Sequence, residues 1–149
     1  MILKIKRFNE LKTTELYEIL RARSEIFLLE QNIICQDLDR VDYDSLHCFL
    51  EKDGAVVAYL RAFAIDGSQD TVKIGRVLSI THGKGLGTKI MTQAIPEIKK
   101  VFDCKKIVVS AQKHAEGFYE GLGFKVVSGE FLEENVIHVK MELETPKKI

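Results

Sequence analysis

The chain has 149 residues, enough for one domain with a sizeable core and too few for two ordinary ones. Lys plus Arg equals Asp plus Glu at 22 each, and the cations are scattered, which argues against a nucleic-acid or membrane surface as partner. Three widely spaced cysteines (Cys35, Cys48, Cys104) without a C-x-x-C pair, no signal-peptide core and no membrane-length apolar run give the expectation of a single cytoplasmic domain over residues 1–149.

In chain order, Ile2 to Phe8 alternates apolar and basic residues as a first strand would. Thr13 and Thr14 offer helix caps, Glu15 and Glu18 suit the first turn, and Leu16, Ile19, Leu20, Ile26 and Phe27 supply an apolar face. Residues Gln31 to Ser45 are polar and acidic, with Asp37, Asp39, Asp42 and Asp44, and read as a substrate-side loop or short irregular helix. Leu46–Glu51 and Ala55–Ile65 flank Asp53-Gly54, a strong hairpin signal. A turn at Asp66-Gly67-Ser68 leads to a strand over Val72–Ile80, and a helix from Leu86 follows, kinked or restarted at Pro96. Lys106–Ser110 reads as a buried strand and Ala115–Leu122 as a helix ended by Gly123. Phe124–Ser128 and Val136–Leu143 close the sheet.

The stretch from Thr71 to Phe102 organises the rest. Strand, glycine turn (His82-Gly83-Lys84-Gly85-Leu86-Gly87) and helix together point unpaired backbone N–H groups at an anion, with the helix dipole adding positive potential. Glycines remove the Cβ atoms that would hold a phosphate away from the backbone. The glycines fall as G-x-G-x-G, which matches neither the dinucleotide fingerprint nor the Walker loop. A glycine turn without a ligand is the plain alternative.

The pattern that does fit, with His82 first, Gly85 fourth and Gly87 sixth, resembles the acyl-CoA-binding turn of the GNAT superfamily of N-acetyltransferases. A second segment, Gln112-x-x-Ala115-x-x-Phe118-Tyr119-x-x-x-Gly123-Phe124, resembles that superfamily's Asn-x-x-Ala-x-x-Phe-Tyr-x-x-x-Gly-Phe pattern, with Gln112 in place of asparagine. Leu29-Glu30-Gln31, the acidic loop leading to His47, Tyr59-Leu60-Arg61-Ala62, Ile74-Gly75-Arg76-Val77 and Ser110-Ala111-Gln112 look like its ElaA-like branch. The resemblance implies a mixed, mostly antiparallel sheet of six or seven strands flanked by helices and splayed after the fourth strand. Two departures stand out. His82 replaces the usual arginine or glutamine, which implies a phosphate contact that is either weaker or dependent on pH, and the link from Arg76-Val77 to the glycine turn is short.

The resemblance further implies direct transfer of an acetyl group from acetyl-CoA to a primary amine of a small molecule or peptide, without metal. A non-catalytic acyl-CoA-binding sensor or interaction module and a nucleotide-phosphate binder are the alternatives, and homodimer formation is left open. Transfer requires amine deprotonation, carbonyl polarisation and thiolate protonation. Tyr119 is the implied acid, and a backbone N–H near Val77, Leu78 or Ser79 the polarising group. Cofactor contact is expected over His82, Gly83, Lys84, Gly85, Leu86, Gly87 and Thr88, with Gln112 on the pantetheine amide and Phe118 packing beneath the cofactor or in the core. Glu30 and His47 are the base candidates, with a capping or solvated glutamate and a structural histidine as the bland readings. Glu30, Gln31, Arg61 and Arg76 are the acceptor-side candidates. Arg61 and Arg76 interrupt apolar strands and need partners, which Asp37, Asp39 or Asp42 could supply unless those carboxylates face a cationic substrate. The D-x-D-x-x-D spacing lacks the glycine and glutamate of a calcium loop.

Overall fold

A computed structural model describes residues 1–65 and 67–145. Among them eight strands form one sheet, in the order β1 (Ile2–Arg7), β2 (Leu46–Lys52), β3 (Ala55–Ile65), β4 (Ser68–Ser79), β5 (Lys106–Gln112), β8 (Val136–Glu144) and β6 (Lys125–Val126), with β7 (Phe131–Glu133) also paired to β8. β6 and β7 are two and three residues long, and they raise the count above the six or seven expected. All pairings are antiparallel except β4 with β5.

The Asp53-Gly54 hairpin forms as its residue types demand, both at positive φ (52° and 80°). β2 and β3 are apolar almost throughout because both faces of the sheet are covered. Leu46, Cys48, Leu50, Ala58, Leu60 and Ala62 face α2 (Leu86–Phe102), whose Ile90, Met91, Ala94 and Ile98 are buried. Phe49, Val56, Tyr59 and Leu78 face Ile19, Ala22 and Ile26 of the first helix.

That helix, α1 (Thr13–Arg23), is capped differently from the expectation. The Glu15 carboxylate reaches back to the Lys12 N–H at 2.8 Å, and no threonine hydroxyl takes part. α1 continues as a π-helical segment, Ser24–Glu30, closed by a bond from the Gln31 N–H to the Ile26 carbonyl at 2.9 Å. α2 runs unbroken through Pro96. The proline lies on the exposed face, so the carbonyl freed one turn earlier is open to water. Of the expected Asp66-Gly67-Ser68 turn, Asp66 lies outside the described residues; Gly67 has φ 69° and Ser68 opens β4. α3 (Glu116–Gly121) follows β5 after one 3-10 turn, Lys113–Ala115, and Gly123 at φ 100° turns the chain into Phe124.

β4 and β5 pair at three positions only, Thr71–Lys106, Val72–Ile107 and Lys73–Val108. Beyond them the strands part. In β4 an extra residue relative to β3 bulges at Arg76, whose φ of 53° is left-handed. The splay expected after the fourth strand is therefore present.

Candidate functional site

The splay opens onto a cavity of 560 Å³ between the residue 31–41 loop, β4, the end of β5 and the β7–β8 hairpin. Gly75, Arg76 and Val77 line one side, Ser110, Gln112 and Tyr119 the other. The Ile80 N–H bonds the Val57 carbonyl at 2.9 Å, and Tyr59 is the register partner of Leu78. By strand alternation Leu78 turns its N–H to β3, while Val77 and Ser79 turn theirs into the splay. The Leu78 side chain is core. Leu78 thus turns neither its N–H nor its side chain to the splay, and Val77 and Ser79 are the candidates left there.

At the glycine turn, Gly83 (φ 73°) and Gly85 (φ 70°) are left-handed, and a Cβ on either would project into open space. Gly85 caps α2 without a side-chain bond, and the first intrahelical bond runs from the Lys89 N–H to the Gly85 carbonyl at 3.0 Å. The N–H groups of Leu86, Gly87 and Thr88 are thus left for an external acceptor, and the first turn holds no acidic residue to compete. His82, Lys84 and Thr88 are exposed around this cradle. The donor set fits a phosphate. Phe118 packs its ring edge 3.5 Å from where a Gly87 Cβ would lie, which makes it a spacer between α3 and the start of α2.

Tyr119 is buried but lines the cavity, its ring set edge-on between Phe118 and Phe124. Its hydroxyl has no hydrogen-bond partner among the described residues, and burial pushes its pKa up to about 12. It holds its proton across the neutral range.

The two base candidates fare differently. His47 is fully buried, with Nε2 donating to the Asp42 carbonyl at 2.9 Å and Nδ1 accepting from the Tyr59 hydroxyl at 2.7 Å. Burial lowers its pKa and keeps the ring neutral. It does not reach the cavity and is withdrawn as a base. Glu30, at the end of the π segment, pairs with His82 at 2.6 Å, both largely exposed. Its neighbour Gln31 accepts from Gln112 Nε2 at 3.0 Å. The widened helix thus touches both the glycine turn and β5 through consecutive residues.

The acidic loop is spent on arginines. Asp42 bonds Arg23 at 2.7 Å and Arg61 at 3.0 Å, Asp39 holds Arg61 at 2.6 and 2.8 Å, and Asp37 takes Arg23 at 3.0 Å and Arg76 at 2.8 Å. The Arg61 guanidinium holds the Asp39 carboxyl at about 2. With Asp37, Asp39 and Asp42 each matched by an arginine, these three carboxylates supply the partners that Arg61 and Arg76 need and are not free to face a cationic acceptor. Arg61 and Arg76 still line the cavity, and the Arg61 Nε is buried without a partner. His114, Glu133, Glu134 and His138 also line it, none of them singled out from the sequence. Among the described residues no group of His, Cys, Asp and Glu could hold a metal ion.

The sheet splayed at its centre over a helix with an open N-terminus is shared with acyl-CoA-dependent acyltransferases, and similarity in sequence and structure places the chain in that class. The sequence matches the acetyltransferase (GNAT) domain over residues 30–145, and the chain belongs to that family. It is 38% identical to the UPF0039 protein C11D3.02c of Schizosaccharomyces pombe over 93% of this chain and 94% of that one. It is 31% identical to protein ElaA of Escherichia coli over 91% and 92% of the two chains, and superposes on the ElaA crystal structure with a TM-score of 0.88 over 96% and 99%. An acyl-CoA N-acyltransferase of Pseudomonas aeruginosa gives the same TM-score of 0.88 at 31% identity, over 95% and 99%. No helix among the described residues is long and apolar enough to cross a membrane.

Proposed function

We propose that the protein is a cytoplasmic acetyl-CoA-dependent N-acetyltransferase that acts on a primary amine of a small molecule or peptide. The observation that carries this reading is Tyr119, which lines the cavity where the sheet parts and whose hydroxyl is protonated and unpartnered among the described residues. The N-acyltransferase of Pseudomonas aeruginosa, similar over nearly the whole chain, supports a CoA donor and a nitrogen acceptor.

Acetyl-CoA supplies the activated acetyl group as a thioester. The free N–H groups of Leu86, Gly87 and Thr88, with Gly83 and Gly85 giving access and Lys84 and His82 adding charge, bind its pyrophosphate. Gln112 exchanges its bond to Gln31 for the pantetheine amide. The Val77 N–H polarises the carbonyl oxygen, and Tyr119 gives its proton to the departing sulfur. Arg61 and Arg76 shape the acceptor side.

The test is thiol release from acetyl-CoA over a panel of amines, with CoA-induced thermal stabilisation measured in parallel. A ligand at a hundred times its Kd stabilises by about 2.7 kcal/mol. Tyr119→Phe should keep that stabilisation and lose turnover by about a hundredfold or more. Stabilisation by CoA with no thiol release from any amine would leave a sensor in place of an enzyme.

A further inference from the structure

With His47 sealed in the core and Glu30 tied to His82 outside the cavity, the proton of the acceptor amine needs another destination. β8 offers one. His138 stands directly opposite Gln112 on β5 and opposite Phe131 on β7. Opposed residues share a face of the sheet, and His138, Gln112 and Tyr119 all line the same cavity.

The ring is held on three sides. Nδ1 lies 2.7 Å from the Val136 carbonyl oxygen, which can only accept, so in the neutral ring Nδ1 carries the hydrogen and Nε2 keeps its lone pair. Phe131 stacks on the imidazole with centroids 5.9 Å apart and planes 24° from parallel. Glu133 Oε2 lies 3.6 Å from Nε2, too far for a hydrogen bond and within ion-pair distance of the ring once Nε2 has taken the amine proton. The tight Glu134-Asn135 turn, both residues at positive φ, brings Glu133 to that position. The other titratable groups around the cavity on this side are Glu134 in the turn, His114 after β5, and Tyr119 on α3.

We propose that His138 is the general base that deprotonates the acceptor amine, with Glu133 as its positioning partner. This rests on the N-acetyltransferase reading above. As the nitrogen–carbon bond forms, the amine proton passes to Nε2. As the carbon–sulfur bond breaks, its electron pair stays on sulfur, which takes the Tyr119 hydroxyl proton. The imidazolium proton and the phenolate recombine through water, restoring both groups.

His138→Asn is the first test, because its amide can still donate to Val136 while nothing replaces Nε2. It should lower kcat by about a hundredfold or more, flatten the acid limb of the kcat/KM profile, and leave CoA-induced stabilisation unchanged. Glu133→Gln should lower kcat severalfold while leaving KM and CoA-induced stabilisation unchanged, a split that a merely structural role would not produce. Long-range proton–nitrogen NMR of the wild type gives a readout independent of turnover. A neutral ring protonated at Nδ1 supports the assignment, and one protonated at Nε2 overturns it. Wild-type turnover with a His138→Asn profile within threefold of it at every pH sinks the base alone. A wild type that binds CoA and acetylates no amine sinks the enzyme reading and the base together.

Discussion

Glu30 and His82, 52 positions apart in sequence, meet at 2.6 Å between Oε1 and Nε2. One marks the end of the first helical segment and the other the start of the glycine turn, so a candidate acceptor residue and a candidate phosphate residue occupy each other. Both are largely exposed, and such a pair rearranges at little cost.

Replacing His82 with arginine puts a permanently charged, forked donor beside the open helix end. His82→Arg should tighten CoA binding by about three- to tenfold in a calorimetric titration, with the melting point of the free protein unchanged. Weaker binding would mean that Glu30 captures the guanidinium.

Gly85 sits at φ 70° with open space where a Cβ would be. Gly85→Ala should cost about 1 kcal/mol in folding stability from the left-handed backbone. The new methyl, aimed at the phosphate position, should weaken CoA binding by a larger factor than this strain accounts for. Denaturant titration and CoA affinity, measured on the same variant, separate the two effects.

His47 joins the Tyr59 hydroxyl to the Asp42 carbonyl inside the core. His47→Leu should strand both groups and destabilise the fold by about 1–3 kcal/mol for each, while kcat at a permissive temperature stays within a few-fold of wild type. A hundredfold loss of kcat with normal stability would restore His47 to the chemistry.

Asp42 bridges the buried Arg23 and Arg61, and Asp42→Asn should cost about 3–5 kcal/mol by leaving those charges under-compensated. Acid acts on the same network. The Arg61 hydrogen bonds bring Asp39 down to about 2. Burial pushes Glu15 up, but the Lys12 N–H and the ammonium groups of Lys6 and Lys4 outweigh it and bring it to about 2 as well. Carboxyls depressed in the folded state add stability that is complete above their unfolded range, near pH 4, and is lost as pH falls towards 2. The buried, neutral His47 adds an earlier loss, because below about pH 6.5 the unfolded chain takes up a proton that the folded ring resists. Urea midpoints should therefore be level above about pH 7, decline gently below that, and fall steeply between about pH 4 and 2.

What could be read from the residues was local or motif-like. The Asp53-Gly54 turn, the glycine turn and the Phe118-Tyr119 segment each declare themselves within a few positions, and they locate β2, β3, β4, α2 and α3. Partnerships across the chain showed only as a need. Arg61 and Arg76 interrupt apolar strands, and Asp37, Asp39 and Asp42 could serve either as their partners or as a surface for cations. Asp37 bonds Arg76 39 positions away and Asp39 bonds Arg61 22 away, so the partner reading holds. Arg23, on a helix, gave no such signal although Asp37 and Asp42 hold it too. Pro96 looked like a break because its cost depends on which way the freed carbonyl faces. The β7–β8 hairpin went unread because Glu134-Asn135 supplies its turn without glycine. His138 lies in a strand that was read, but there it is one of four alternating polar residues with Lys140, Glu142 and Glu144, and nothing set it apart; an Asn at a turn followed three positions later by that histidine was the available signal.

The gap between β4 and β5 has one more consequence. Sheet edges are normally dangerous because unpaired N–H and C=O groups recruit other chains, yet here two such edges face each other inside the protein, joined at one end by three residue pairs. A neighbouring protein's strand would have to thread between them; a slender molecule with amides along its length can enter and complete the ladder. Because the groups that would read it belong to the main chain, substitutions at Val77 or Ser79 can change every side-chain atom and leave the donors in place. Proline, which has no N–H, is the one residue that would silence such a position.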